Sequence, residues 1–222
     1  LCVTVGMSLM ASASNLLVLY MGIEMVSIIS FVMAGFRRDN LRSNEASFKY
    51  LVFGGVASAL MIYGFSLIYG LTGSLNYSQI GASLIAAQGN VGLITWLALV
   101  LIYSGLAYKI SAFPMHFWAP DVYEGAPTPI TAFFSVGPKA AGFAALLRIL
   151  LTVFAVKTGD GNWKAVEGLS LTSIIAVISA ATMIVGNLSA LGQTNVKRIL
   201  AYSSIAHVGY MLMGLVTLDR SG

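Results

Sequence analysis

Charge is what this sequence lacks most. Of its 222 residues, 9% are Asp, Glu, Lys or Arg, against about 25% in a soluble domain. So little charge cannot cover a water-facing surface, and the exterior must face lipid. Cysteine is nearly absent as well. Cys2 is the single one, which excludes an internal disulfide, a cysteine-ligated iron–sulfur cluster and a cysteine-rich zinc site. No basic run with interleaved aromatics occurs, so the net charge of +4 reads as basic loops and buried lysines, not as a nucleic-acid surface. No stretch alternates apolar and polar residues over about ten positions as a membrane β-strand would. The glycines form no phosphate loop between a strand and a helix, so electron-transfer chemistry, if any, belongs to another polypeptide. The opening LCVTVGMSLM has no initiator Met and no basic segment ahead of its apolar run, unlike a signal peptide. It reads as the tail of a helix, and the closing LDRSG as a loop, as in a piece of a longer protein.

What the sequence has instead is long apolar runs. A membrane-spanning helix needs roughly 20 mostly apolar residues. The runs predict a partial helix at 1–11 and full helices at 14–35, 47–71, 91–113, 128–155, 168–191 and 197–217. The second is entered through Ser14-Asn15, the fourth ends at Pro114, and the fifth has Pro129 in its first turn. Residues 75–88 predict a short interfacial helix. Cytoplasmic loops are enriched in Lys and Arg. The loop after the second helix carries Arg37, Arg38, Arg42 and Lys49, and the loop near 192–198 carries Lys197 and Arg198. Both are expected on the cytoplasmic side. The loop at 72–90, without Lys or Arg, is expected outside; so, by helix count and despite Lys157 and Lys164, is the loop at 156–167.

Four ionisable residues fall at membrane depth, where charge is costly and side chains usually face the bundle interior. Glu24 lies well inside the 14–35 helix, and reads either as a structural ion pair between helices or as a proton or ion site. Lys109 is followed by Pro114, which cannot donate a hydrogen bond and whose ring clashes with the carbonyl of Ile110. A helix broken at membrane depth is tolerated where protein or a water-filled cavity satisfies the freed groups. Burial disfavours the ammonium and a nearby carboxylate favours it, so moving the carboxylate would load or unload a proton. The plainer reading is a proline kink beneath a snorkelling lysine. Lys139 repeats the pattern, since Pro138 frees the carbonyl of Phe134. His207 reads as a proton-path residue or a satisfied core histidine; pairing with His116 around a haem is disfavoured by their different depths. Arg148, nearer a helix end, is expected to snorkel. Between the two lysines, PMHFWAPDVYEGAPTP holds four of the five prolines. It reads as a polar interfacial turn, with Trp118 and Tyr123 as belt aromatics.

The stretch AYKISAFPMHFWAPDVYEGAPTPITAFFSVGPKAAGFA is similar to subunit N of the NADH:quinone oxidoreductases (respiratory complex I), one of three antiporter-like subunits. VKRILAYSSIAHVGYMLMGL and DNLRSNEASFKYLVFGGVASALMIYGFSLIYG resemble the same family, and the likeness runs over nearly the whole chain. WAPDVYEGAPTP before a lysine-bearing helix points to subunit N over its two relatives; Ala119 stands where many members have Thr. The resemblance implies an all-α membrane protein, an antiporter-like bundle of inverted five-helix repeats with a broken helix, truncated at both ends. Residues 1–155 would be the first repeat with its first helix partial, 168–217 the first two helices of the second, and 218–222 a truncated loop. The break is expected at Lys109 to Pro114, and the family's second broken helix beyond Gly222. Glu24 matches the membrane glutamate that sets the charge of a nearby lysine, Lys109 the proton-loading lysine, and Lys139 the connecting lysine.

The implied function is proton translocation, driven by quinone reduction elsewhere in the complex. No cofactor is implied for this chain, with NADH, FMN, iron–sulfur clusters and quinone expected in other subunits. The expected partners are other membrane subunits and the lipid bilayer, with no nucleic acid, and the expected location is a bacterial cytoplasmic (inner) membrane. The alternatives are a subunit of a multisubunit cation/proton antiporter, a subunit of the photosynthetic ferredoxin-dependent relative, and an accessory subunit that contributes only packing.

Overall fold

The computed structural model describes residues 1–87, 92–157, 163–166 and 168–216. The apolar runs become α1 (Cys2–Ser12), α2 (Leu16–Ala34), α3 (Leu41–Thr72), α5 (Leu93–Ile110), α7 (Thr128–Val153), α8 (Leu171–Leu191) and α9 (Val196–Met213). The expected interfacial helix is α4 (Tyr77–Ala86), and a further short helix, α6 (Trp118–Gly125), lies in the proline-rich stretch. Five of these, α2, α3, α5, α7 and α8, are long and apolar enough to cross a membrane. Helix α9 has the length of α5, but its first turn carries Lys197 and Arg198 and it is not among the five. The expected loop 218–222 lies outside the described residues.

Local chemistry sets several boundaries. Asn15, Asn40 and Asn195 cap α2, α3 and α9 by accepting from the backbone N–H two residues on, each cap contributing about 1 kcal/mol. The Asn40 cap starts α3 well before the apolar run, so it is longer than the predicted 47–71. Gly73, at φ 68°, ends it in the left-handed conformation that glycine adopts freely. Two short strands, β1 (Ala155–Lys157) and β2 (Trp163–Ala165), pair antiparallel where a loop was expected.

The exterior is apolar as well as the core. Leu17, Met21, Ile28 and Val32 are exposed along one face of α2, and Val177, Ile184, Leu188 and Leu191 along α8. Lipid is as apolar as leucine, so helices associate by close packing and hydrogen bonds, which favours small residues at contacts. Helices α8 and α9 meet this way: a Cβ added at Gly186 would sit 2.6 Å from the Ala206 nitrogen.

The two ends of the bundle differ. At one, Arg42 at the start of α3 and Arg198 at the start of α9 both reach Glu124 of α6. The two basic loops therefore share an end, as expected. At the other, Asn15 pairs with Asn76 across an isolated antiparallel bridge, and Gly81 of α4 packs on the Thr152 carbonyl of α7. That places residues 72–87 and the end of α7 together. Helix α3, at 32 residues, is about 48 Å long and runs between the two ends.

Candidate functional site

The break after Lys109 is present, and three of the backbone groups around it have side-chain partners. Helix α5 stops at Ile110, and Ser111 takes a left-handed conformation, φ 62°. The next helical residue is Trp118. The Phe113 N–H donates to Thr182 Oγ1 on α8 at 3.1 Å, and its carbonyl accepts from the Tyr103 hydroxyl at 3.0 Å. The Tyr108 carbonyl accepts from the Trp118 indole N–H at 2.9 Å. Among the described residues, three buried polar atoms on this stretch and α6 have no hydrogen-bond partner: Ser111 Oγ, His116 Nδ1 and the Tyr123 hydroxyl. Buried polar groups carry a desolvation cost unless they are hydrogen-bonded, and water is the natural partner at these three.

Lys109 is 2% exposed at the end of α5. Its ammonium donates to Ser27 Oγ on α2 at 2.7 Å, and Ser27 Oγ donates to the Ile23 carbonyl at 2.7 Å. Glu24 lies three residues before Ser27, on the same helical face, half-buried, and its carboxylate accepts from Ser58 Oγ of α3. Among the described residues Glu24 makes no ion pair with Lys109; a hydroxyl stands beside each. Among the described residues Glu24 is thus held by a hydroxyl and not by a lysine or arginine. A lysine held by one neutral hydroxyl in a low-dielectric interior has little to stabilise its charge, so a carboxylate on the same helix face has large leverage over it.

Lys139 is 4% exposed in α7. It donates to Ser204 Oγ of α9 at 2.8 Å and to the Ser204 carbonyl at 3.4 Å. Its ammonium also lies 5.8 Å from the centre of the Tyr123 ring, within cation–π range. The two lysines are linked by packing. An added Cβ at Gly142, one turn beyond Lys139, would sit 3.6 Å from Lys109 Cβ and Cγ. Beside Lys139 a cavity of about 600 Å³ runs between α7 and α9, lined by Ser204, His207, Lys197 and Thr131 among others.

Several expectations need correction. Pro138 does not break α7, which continues through it; the defect is one missing N–H within a continuous helix. Lys139 thus sits in an intact helix, and only Lys109 ends at a break. The proline-rich stretch is not an interfacial turn, because its centre is helix α6, and its aromatics are no belt. Trp118 and Tyr123 are 3% and 1% exposed, and Trp118 stacks on Tyr50 with centroids 4.4 Å apart. The indole can be buried because its N–H has a carbonyl partner. His207 is exposed, edge-on to Tyr210, whereas His116 is buried between Phe113 and Phe117. Arg148 is exposed, as expected, and donates to the Ala11 carbonyl at the end of α1.

Sequence reasoning missed Ser27, Ser204, Thr182 and the role of α6. Ser27 had a signal, three residues from Glu24. Thr182 had none, since nothing in the sequence joins it to Phe113. Asp121 and Glu124 are in a charged cluster. Arg198 donates to Asp121 at 2.6 Å and to Glu124 at 3.0 Å, and Lys49 donates to Asp121 at 2.7 Å. Burial pushes the Asp121 carboxyl up, but the hydrogen bonds from Lys49 and Arg198 outweigh it and hold it below its ordinary value.

Comparison with known proteins gives one pattern. Residues 13–221 match the family model described as NADH:quinone oxidoreductase/Mrp antiporter, TM. The chain is 47% identical over 233 aligned positions to NADH-quinone oxidoreductase subunit N of Anaeromyxobacter sp. (strain Fw109-5), covering 100% of this chain and 45% of that protein. It is 50% identical over 218 positions to NADH-quinone oxidoreductase subunit N 2 of Chloroherpeton thalassium, covering 98% and 42%. Among solved structures it resembles a chain of respiratory complex I from Thermus thermophilus, with TM-score 0.78, 39% identity, and 96% of this chain and 43% of that one covered. It also resembles a chain of the Mrp complex from Dietzia sp., with TM-score 0.82, 25% identity, and 97% and 38% covered. The chain spans less than half the length of these relatives.

Proposed function

The chain belongs to the NADH:quinone oxidoreductase/Mrp antiporter transmembrane family, and from that membership we propose that it is part of a proton-translocating membrane subunit, subunit N, of an NADH:quinone oxidoreductase. The observation that carries the reading is Lys109: buried, at the end of a broken helix, with a serine hydroxyl for its hydrogen-bond partner. Its ammonium has a neutral partner in Ser27, and in this reading a change of charge at Glu24, on the same face of α2 as Ser27, loads or unloads its proton. Lys139, whose helix packs on the stem of Lys109, takes the proton onward. His207, at the exposed side of the cavity beside Lys139, is the least constrained member of the path.

In this reading the chain holds no redox centre, and NADH, FMN, iron–sulfur clusters and quinone belong to other subunits. Its partners are those subunits and lipid, and its location is a bacterial inner membrane. Helices α1 to α7 form the first five-helix repeat, with α5 and α6 as the two halves of its broken helix, and α8 and α9 begin a second, inverted repeat. The antiporter alternative is supported by the likeness to the Mrp complex chain, at 25% identity; the 47% identity to subunit N of Anaeromyxobacter sp. favours the oxidoreductase.

The test uses the full-length protein in its assembled complex, in sealed vesicles, with proton uptake and quinone reduction measured in parallel. Lys109→Ala and Glu24→Ala are each expected to lower the protons moved per quinone reduced. Wild-type ratios in both variants, with normal assembly, would refute the reading.

A further inference from the structure

The charged cluster at the end of the bundle has a geometric relation to Lys139. Arg198, in the first turn of α9, donates to Asp121 Oδ1 at 2.6 Å and to Glu124 Oε2 at 3.0 Å, both on α6. Lys49 of α3 takes the other Asp121 oxygen at 2.7 Å, and Arg42 stands 3.8 Å from Glu124. Each oxygen of Asp121 therefore has its own cation. A guanidinium engaging two carboxylates on one helix fixes direction as well as distance, which a single exposed ion pair does not.

The Lys139 ammonium is held by two elements: α9, through Ser204, and α6, through the Tyr123 ring. These are the two elements that Arg198 joins. On α6, Tyr123 lies between Asp121 and Glu124 in sequence. On α9, Ser204 follows Arg198 by six residues, about 9 Å along the helix. The ion pairs set the separation of α6 from α9 together with Lys197, which donates to the Glu124 and Ala126 carbonyls at 3.3 and 2.8 Å, and with the packing of Val122 and Tyr123 near Ala201 and Ile205; the surroundings of Lys139 depend on that separation. If α6 moved away from α9, Tyr123 or Ser204 would leave the ammonium, and Lys139 would open further to the cavity of about 600 Å³ beside it.

We infer that the Asp121–Arg198 pair is a positioning device for Lys139: it docks the helix after the break onto α9 and so holds Tyr123 and Ser204 on the ammonium. Asp121 and Arg198 are positioning residues and carry no proton themselves. The inference rests on the proton-transfer role proposed for Lys139.

The test compares Asp121→Asn, Asp121→Glu, Arg198→Lys and Lys139→Ala in the full-length protein within the assembled complex, reading protons moved per quinone reduced. Asp121→Asn is expected to reproduce most of the fall caused by Lys139→Ala while quinone reduction continues, and Asp121→Glu to recover it. Lys139→Ala is the control for the underlying function. If it lowers the ratio and Asp121→Asn leaves it at the wild-type value, the positioning inference is overturned and the function stands. If Lys139→Ala itself has no effect, the proton role of Lys139 fails and the inference with it. A fall in Asp121→Asn that Asp121→Glu does not recover also overturns the inference, by marking Asp121 as merely structural. Should Asp121→Asn not assemble, Arg198→Lys decides. It keeps the charge but lacks the planar guanidinium, which donates through Nη1 to both carboxylates while its Nε is held by Gln193. A lowered ratio there supports the inference and a wild-type ratio overturns it.

Discussion

At the scale of single residues, the hydroxyls decide how the buried charges behave. Ser27 meets Lys109 and Ser58 meets Glu24, so each ionisable group faces a neutral partner, not its opposite charge. In the proposed function this matters because a hydroxyl solvates the ammonium without the opposite charge that would pin its proton. Ser27→Ala removes the hydrogen bond from the Lys109 ammonium, and hydrogen bonds to charged groups contribute about 1.5–3 kcal/mol. The expected outcome is a fall in protons moved per quinone reduced, with assembly intact and Ser27→Thr close to wild type. The vesicle assay with parallel quinone reduction checks it. Glu24, Lys109 and Lys139 were legible in the sequence, because an ionisable side chain inside an apolar run is conspicuous. Their serine partners were not, because serine is common in membrane helices and its partner depends on which helix lies opposite.

At the scale of elements, the break between α5 and α6 is built by three other helical positions. Tyr103 of α5 covers the Phe113 carbonyl, Trp118 of α6 covers that of Tyr108, and Thr182 of α8 accepts from the Phe113 N–H. Thr182→Val keeps the shape and leaves that N–H without a partner, at a cost of about 1–3 kcal/mol. The expected result is a lower thermal unfolding midpoint of the full-length protein in detergent, with Thr182→Ser near wild type. Pro114 announced the break in the sequence, since a proline frees a carbonyl wherever it falls. Pro138 announced one too, yet α7 runs on through it. The local rule is the same at both prolines. The outcome differs in what surrounds each proline: α7 is continuous through Pro138, while beside Pro114 hydroxyl and indole groups from α5, α6 and α8 take up loose backbone groups.

At the scale of the whole molecule, the ends are stapled differently. Hydrogen bonds between Asn15 and Asn76 join the α1–α2 and α3–α4 turns at one end, and ion pairs join α3, α6 and α9 at the other. The ionic end has a pH signature. Burial raises the Asp121 carboxyl, but Lys49 and Arg198 outweigh it and hold it below its ordinary value of 3.8. A carboxyl lowered on folding stabilises the folded state fully above its unfolded pKa and loses that contribution as pH falls through the folded value. The difference in unfolding midpoint between wild type and Asp121→Asn is therefore expected to be constant from about pH 8 to about pH 5, and to close only below about pH 4. Thermal melts of the full-length protein in detergent across that range check it; a difference already closing near about pH 6 would contradict the assignment. The helix contacts give a second expectation at this scale. Gly186→Leu places a side chain where the Ala206 backbone lies, so α8 and α9 should separate and the amount of assembled complex should fall.

The sequence by itself determined that this is a membrane protein, where most of its helices lie, that one of them is broken beside Lys109, and that its basic loops share an end. Each follows from properties carried along the chain: apolar length, a missing N–H at proline, and the sidedness of lysine and arginine. Only the tertiary structure decided that Pro138 leaves α7 whole, that Trp118 and Tyr123 are core and not belt, and that Ser27, Ser204 and Thr182 are the partners that matter. Those depend on which faces meet across helices distant in sequence. In a bilayer, where burying apolar surface against lipid costs nothing, close packing and hydrogen bonds choose those faces.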